Sequence, residues 1–173
     1  MNRVLVCGIT GVGKTTFARA LAQRAALPYH EMDALYHGPN WQPIPSFSED
    51  VACIVDEPKW VFDSHGYAQV RDLMWSRADT VVWLDFSRAV VMRRVLHRST
   101  RRAISSEPIF NDNIETFRAW FDSEHPVQWA WTQYRPRRDD MRHRFADPRY
   151  SHVRRVRIAD PRTAARWLRC ALS

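Results

Sequence analysis

Eight consecutive residues, Gly8-Ile9-Thr10-Gly11-Val12-Gly13-Lys14-Thr15, set three glycines, a lysine and a hydroxyl at the spacing G-x-x-x-x-G-K-[ST]. Glycine lets the backbone turn inward, so that successive N–H groups converge on one phosphate-sized anion. A helix starting where the loop ends adds the positive end of its dipole. Thr10, Gly11, Val12, Gly13 and Thr16 would contribute through such backbone groups, while Lys14 reaches the outer phosphates and the Thr15 hydroxyl ligates Mg²⁺. Lys14 and Lys59 are the two lysines among 26 basic residues. A compact ammonium suits a small cradle that a broad planar guanidinium fits poorly. The loop reads as a nucleoside triphosphate site and says nothing of what receives the phosphate.

Such a loop needs a strand before it and a helix after it. Arg3–Cys7 reads as a short buried strand, and Lys14–Ala25 as a helix with Phe17, Leu21 and Ala25 on one face. Pro28 ends that unit, and Tyr29–Met32 reads as a second strand. Ser46-Phe47-Ser48-Glu49 has capping-box spacing, and Phe47, Val51, Ile54 and Val55 follow as a helical stripe up to Pro58. Trp60–Phe62 and Thr80–Leu84 read as strands that end in Asp63 and Asp85. Ser87 caps a helix running to about Arg98. Two short aromatic helices are expected near Ile114–Ser123 and Val127–Tyr134, with Phe117, Trp120, Phe121, Trp129 and Trp131 as their core. Val153–Ile158 makes a fifth strand, and Asp160-Pro161 opens a last helix. Alternating strands and helices predict an α/β fold, one domain over residues 1–173 with a five-stranded parallel sheet flanked by helices. Such sheets bind ligands at the carboxyl ends of their strands, where Gly8, Asp33, Asp63 and Asp85 fall.

The bulk numbers agree with one folded domain. A chain of 173 residues with 45% hydrophobic and 12% aromatic content buries a core and is not of the disordered class. Cys7, Cys53 and Cys170 show neither metal nor redox spacing, which fits reduced thiols. No apolar run spans a bilayer and the first one stops at Gly8, so a cytoplasmic location without a membrane partner is expected. Residues 1–92 hold 8 basic and 10 acidic side chains, whereas residues 93–173 hold 18 and 9. A polyanion is therefore expected to meet the second half, either a nucleotide or a nucleic acid.

With that loop, the segments "EMDALYHGPNW", "WVFDSHGY", "ADTVVWLD" and "RRVLHR" follow in order over most of the chain. Together they resemble the adenylate-kinase-like P-loop kinases, closest to the branch of adenylate kinase-related or DNA-topology-modulation proteins. The resemblance implies a P-loop NTPase fold that uses ATP and Mg²⁺, with an acceptor flap at about residues 29–60 and a helical lid at about 99–138. It places Asp63 as the acidic group that holds Mg²⁺ through water, and Arg94 and Arg98 as the pair entering the lid. Of that pair, one packs near adenine and the other meets phosphates. It places Arg71 on the acceptor side, and one of Arg135, Arg137 and Arg138 on the transferred phosphoryl group, with Arg138 standing for the three.

One departure bears on the acceptor. Residues 29–60 contain no arginine, one lysine and a surplus of acidic groups, which would repel a phosphorylated acceptor. Asp33 lies where related nucleoside and sugar kinases place a carboxylate, and a hydroxyl acceptor needs a base. Asp33 is thus expected to orient and deprotonate a hydroxyl, with His37, Asn40 and Trp41 lining the same pocket. A small-molecule ATP-dependent phosphotransferase is the preferred reading. A nucleic-acid-associated NTPase and an ATP-binding regulator are the alternatives, and no readable nucleic-acid motif supports the former.

Overall fold

The computed structural model describes residues 1–105, 108–109, 113–114 and 126–170. Its centre is strand β1 (Arg3–Cys7), in which Val4, Leu5, Val6 and Cys7 are wholly buried. A parallel strand covered on both faces needs such an unbroken apolar run. Around it lie β2 (Tyr29–His30), β3 (Trp60–Phe62), β4 (Thr80–Leu84) and β7 (Arg154–Ile158). All pair in parallel in the order β2-β3-β1-β4-β7, with Leu5 level with Phe62 on one side and Val81 on the other. A separate antiparallel pair joins β5 (Pro108–Ile109) to β6 (Asn113–Ile114).

The helices are α1 (Lys14–Ala25), α2 (Met32–Tyr36), α3 (Phe47–Asp56), α4 (Arg71–Arg77), α5 (Arg88–Ser105), α6 (Pro126–Ala146) and α7 (Pro161–Cys170). One face of the sheet packs Val4, Val6, Val82 and Leu84 on Phe17, Leu21, Val91 and Val95. The other packs Leu5, Phe62, Val81 and Trp83 on Phe47, Val51, Met74 and Trp75. The alternation along β1 assigns its neighbours to opposite faces, as a pleated strand requires. No described helix is long and apolar enough to cross a membrane.

Several elements depart from expectation for visible reasons. Strand β2 stops at His30 because the Met32 N–H is taken by Asp63 Oδ1 at 3.1 Å, and α2 begins there. Asp33 therefore sits in the first turn of a helix. Ser46 and Glu49 form no capping box; the Ser46 hydroxyl instead donates to Asp50 at 2.7 Å. Helix α4 was not anticipated, although Val70, Met74, Trp75 and Ala78 carry a buried stripe at helical spacing.

Helix α6 runs through Pro136 to Ala146, where Val127–Tyr134 was expected to end it. Proline removes one ladder bond, but long-range anchors hold the helix on both sides of it. The Tyr134 hydroxyl donates to the Phe86 carbonyl at 2.8 Å, Arg138 grips Asp85, and Met141 is buried. Ile114 belongs to β6, and the rest of the first aromatic helix, with Phe117, Trp120 and Phe121, lies outside the described residues. Asp160 behaves as read, accepting from the N–H groups of Arg162 and Thr163 at 2.9 Å each as α7 starts.

Candidate active site

The glycine loop joins β1 to α1 over the carboxyl end of the sheet. Gly11 has φ 77° and packs so closely on α5 that any side chain there would drive into Val95. Gly13 caps α1 with φ 99°, and a Cβ there would lie 3.1 Å from the Arg94 guanidinium. Both positions need glycine for conformation and for space. The Lys14 ammonium folds over this loop and donates to the Ile9 carbonyl at 3.2 Å. Burial weakens its hold on its proton, which the Asp33 and Asp63 carboxylates offset only in part and the Arg98 charge weakens further.

Asp63, buried at the end of β3, organises the adjoining corner. Its Oδ2 accepts from the Thr15 hydroxyl at 2.6 Å and the Tyr29 hydroxyl at 2.9 Å. Thr15 and Asp63 thus offer two hard oxygen donors beside the phosphate loop. Among the described residues no three His, Cys, Asp or Glu side chains cluster to cage a metal. This donor set fits Mg²⁺, which takes one or two protein oxygens and otherwise water and substrate phosphate.

Helix α5 supplies the expected pair. Arg94 donates to the Val12 carbonyl and lies 5.3 Å from the Phe86 ring centroid, so it braces the loop from behind. Arg98 is one turn on, close enough for its charge to act on Lys14. Thr10 and Thr16 lie on the loop and in the first turn of α1.

Across the cleft, Asp33 accepts from the Tyr67 hydroxyl at 3.0 Å, and the same hydroxyl lies 3.3 Å from His37 Nε2. Tyr67 stacks on Tyr36 with ring centroids 3.9 Å apart. Trp41 stands on a short 3-10 turn (Pro39–Trp41), edge-on to His37 at 5.2 Å, with 44% of its surface exposed. Its φ of 61° is a conformation that bulky residues seldom adopt outside functional sites.

Behind Tyr67 lies a second basic group. Arg71 donates through Nε to the Gly66 carbonyl at 3.0 Å, and Arg137 Nη1 lies 2.9 Å from His65 Nε2. Burial, and then the neighbouring Arg71 charge, weaken Arg137's hold on its proton. Burial pushes His65 down to about 4, so at neutral pH it is uncharged and accepts the Arg137 hydrogen bond. Asp140 Oδ2 stands 3.4 Å from the same ring nitrogen.

Of the three candidate arginines Arg135, Arg137 and Arg138, Arg137 alone joins the group around His65 and Arg71. Arg135 is exposed. Arg138 is bound to buried Asp85 at 2.6 and 3.0 Å, a carboxylate it shares with Arg157. The signal for Arg137 lay in α6 itself: it falls three residues after Tyr134 and four before Met141, on the inward face. Tyr29, His65 and Tyr67 were not foreseen, because nothing in their local spacing marks them.

Residues 4–106 match the model of the ATPase family associated with various cellular activities (AAA), more than half of the chain. A shikimate kinase of Ruegeria pomeroyi is 28% identical over 140 residues, covering 72% of this chain and 70% of that protein. Among solved structures, a gluconokinase from Sinorhizobium meliloti superposes with a TM-score of 0.57 at 19% identity, over 99% of this chain and 89% of the other. A shikimate kinase from Acinetobacter baumannii in complex with shikimate gives 0.55 at 17% identity, over 99% and 93%. The two superpositions agree on the fold, an α/β P-loop NTPase.

Proposed function

We propose that this chain, which belongs to the ATPase family associated with various cellular activities (AAA), transfers the γ-phosphate of ATP to a hydroxyl of a small acceptor that also carries an anionic group. The observation that carries this reading is that Asp63 ties the phosphate loop to the start of α2, accepting from the Thr15 hydroxyl at 2.6 Å and from the N–H of Met32, next to Asp33, at 3.1 Å. The Asp33 carboxylate is thereby held beside the phosphate end by a separate element. That is the arrangement in which a base and a transferable phosphoryl group meet.

The loop N–H groups and Lys14 offset charge on the phosphate oxygens, and Arg98 reinforces them. Thr15 and Asp63 would hold Mg²⁺, which when bound shields the charge of the outer phosphates. Asp33 accepts a hydrogen bond from the acceptor hydroxyl and takes its proton as the oxygen attacks the γ-phosphorus; the bond to the bridging oxygen breaks and ADP leaves. Arg71 and Arg137, close enough for their charges to repel and near the Asp140 carboxylate, favour an anionic group on the acceptor. The shortage of positive charge in the flap therefore does not decide against an anionic acceptor, since α4 and α6 supply it. The shikimate kinase and gluconokinase likenesses support a small hydroxylated acceptor.

A nucleic-acid-associated NTPase is the weaker reading. On basic strand β7, Arg157 is committed to Asp85 and Arg155 to the carbonyls of Asp147 and Tyr150. The test is incubation with Mg-ATP and pooled nucleosides, nucleotides, sugars and hydroxy acids, followed for ADP and new phosphorylated masses. A phosphorylated alcohol bearing a carboxylate or phosphate is expected. ADP without such a product, or salt-dependent DNA retention as the sole activity, would defeat the proposal.

A further inference from the structure

The Tyr67 hydroxyl touches neither the phosphate loop nor the metal corner, and its position gives it a separate task. We propose that Tyr67 is the positioning residue for Asp33, holding Oδ1 so that Oδ2 is the oxygen presented to the acceptor. The inference rests on the kinase reading above and concerns the same pocket.

Asp33 lies exposed in the first turn of a five-residue helix, a weak support for a group that must meet a substrate atom within a fraction of an ångström. Tyr67 comes from the loop between β3 and α4, outside the flap, and its carbonyl is tied to the start of α4 by the N–H groups of Val70 and Arg71. Its ring is fixed by the stack on Tyr36 and by an edge contact with Phe47 at 5.5 Å. A phenol has one proton, and here it goes to Asp33 Oδ1 at 3.0 Å. His37 Nε2, at 3.3 Å, then has to donate to the phenol oxygen, which assigns the His37 tautomer. The result is a chain from His37 through Tyr67 to Asp33. The charges around it are Lys14 on α1, Glu31 and Asp63 beside α2, and Arg137 on α6. Burial, and then the Asp33 charge, strengthen the phenol's hold on its proton, so it remains a donor well above neutral pH.

The test is a double-mutant cycle with the acceptor found in the screen. Tyr67→Phe keeps the ring stack and deletes the hydroxyl, and its melting curve checks that the fold is intact. It is expected to lower kcat by about 10–100-fold with the KM for ATP unchanged, because misplacement of a reacting group acts on the chemical step. In an Asp33→Asn background the same substitution is expected to change kcat less than about twofold, since the group it positions is gone. A Tyr67→Phe enzyme with wild-type kcat, or an equal loss in both backgrounds, overturns the proposal alone. An Asp33→Asn enzyme with wild-type kcat removes the Asp33 assignment and this inference together.

Discussion

The phosphate end and the acceptor end of the cleft are built in opposite ways. The phosphate end is one uninterrupted segment, Gly8 to Thr16, using mostly main-chain groups and held from outside by Asp63 and Arg94. The acceptor end draws Asp33 from α2, Tyr67 from a loop, Arg71 from α4 and Arg137 from α6, and uses side chains throughout. A backbone cradle demands one fixed local pattern and recognises what every nucleoside triphosphate shares. A cleft assembled from distant side chains can be retuned one residue at a time, which suits the end that must tell acceptors apart.

That contrast predicts unequal failures. Lys14→Ala is expected to reduce kcat by two to three orders of magnitude, roughly 10²–10³-fold, as for loss of one preorganised charge-stabilising group. The melting temperature should stay near that of wild type, and normal turnover would break the assignment of the phosphate end. Arg137→Gln should instead raise the KM for an anionic acceptor by about ten- to a hundredfold, in line with the 1.5–3 kcal/mol of a charge-assisted hydrogen bond. The KM for ATP should not move, and steady-state kinetics on both substrates would sharpen the division. An equal rise in both constants would show that the two ends are not separable.

Trp41→Asn replaces a strained bulky residue by one that tolerates positive φ. It should leave thermal stability equal or slightly higher while weakening acceptor binding, measured by calorimetry beside a melting curve. The smallest effect concerns pH. Because folding depresses His65 below its ordinary value, to about 4, the unfolded chain binds more protons between roughly pH 4 and 6.5. Its contribution to stability is therefore complete above about pH 6.5 and is lost as pH falls towards 4. His65→Gln should flatten the fall in melting temperature across that window.

The same contrast explains what was legible in the sequence. The loop, β1, β3, β4, α1 and the cap of α7 were readable, since each follows from a short apolar run or a local capping pattern. The places of Lys14, Thr15 and Asp63 were readable with them, because a helix start sets the first two and a strand end the third. Helix α4 is short and its stripe is interrupted by charges, so no local pattern marks it. The continuation of α6 through Pro136 depends on Phe86 and Asp85, some fifty residues away, and no window around the proline contains them. The choice among Arg135, Arg137 and Arg138 depends on that helix, and the distant partners of Arg137 and Arg138 decide it. His65 and Tyr67 matter only through groups that other elements deliver.

Asp63 carries a consequence for the order of events in the cleft. One of its oxygens answers to Thr15 and Tyr29, the other to the main chain at Met32. A cation held at the first oxygen would compete for the lone pairs that accept from Tyr29 of β2, and would leave the N–H of Met32 at the start of α2 bonded. On the kinase reading proposed above, filling the phosphate end would therefore be felt at Tyr29, while Met32, next to Asp33, would stay tied to Asp63.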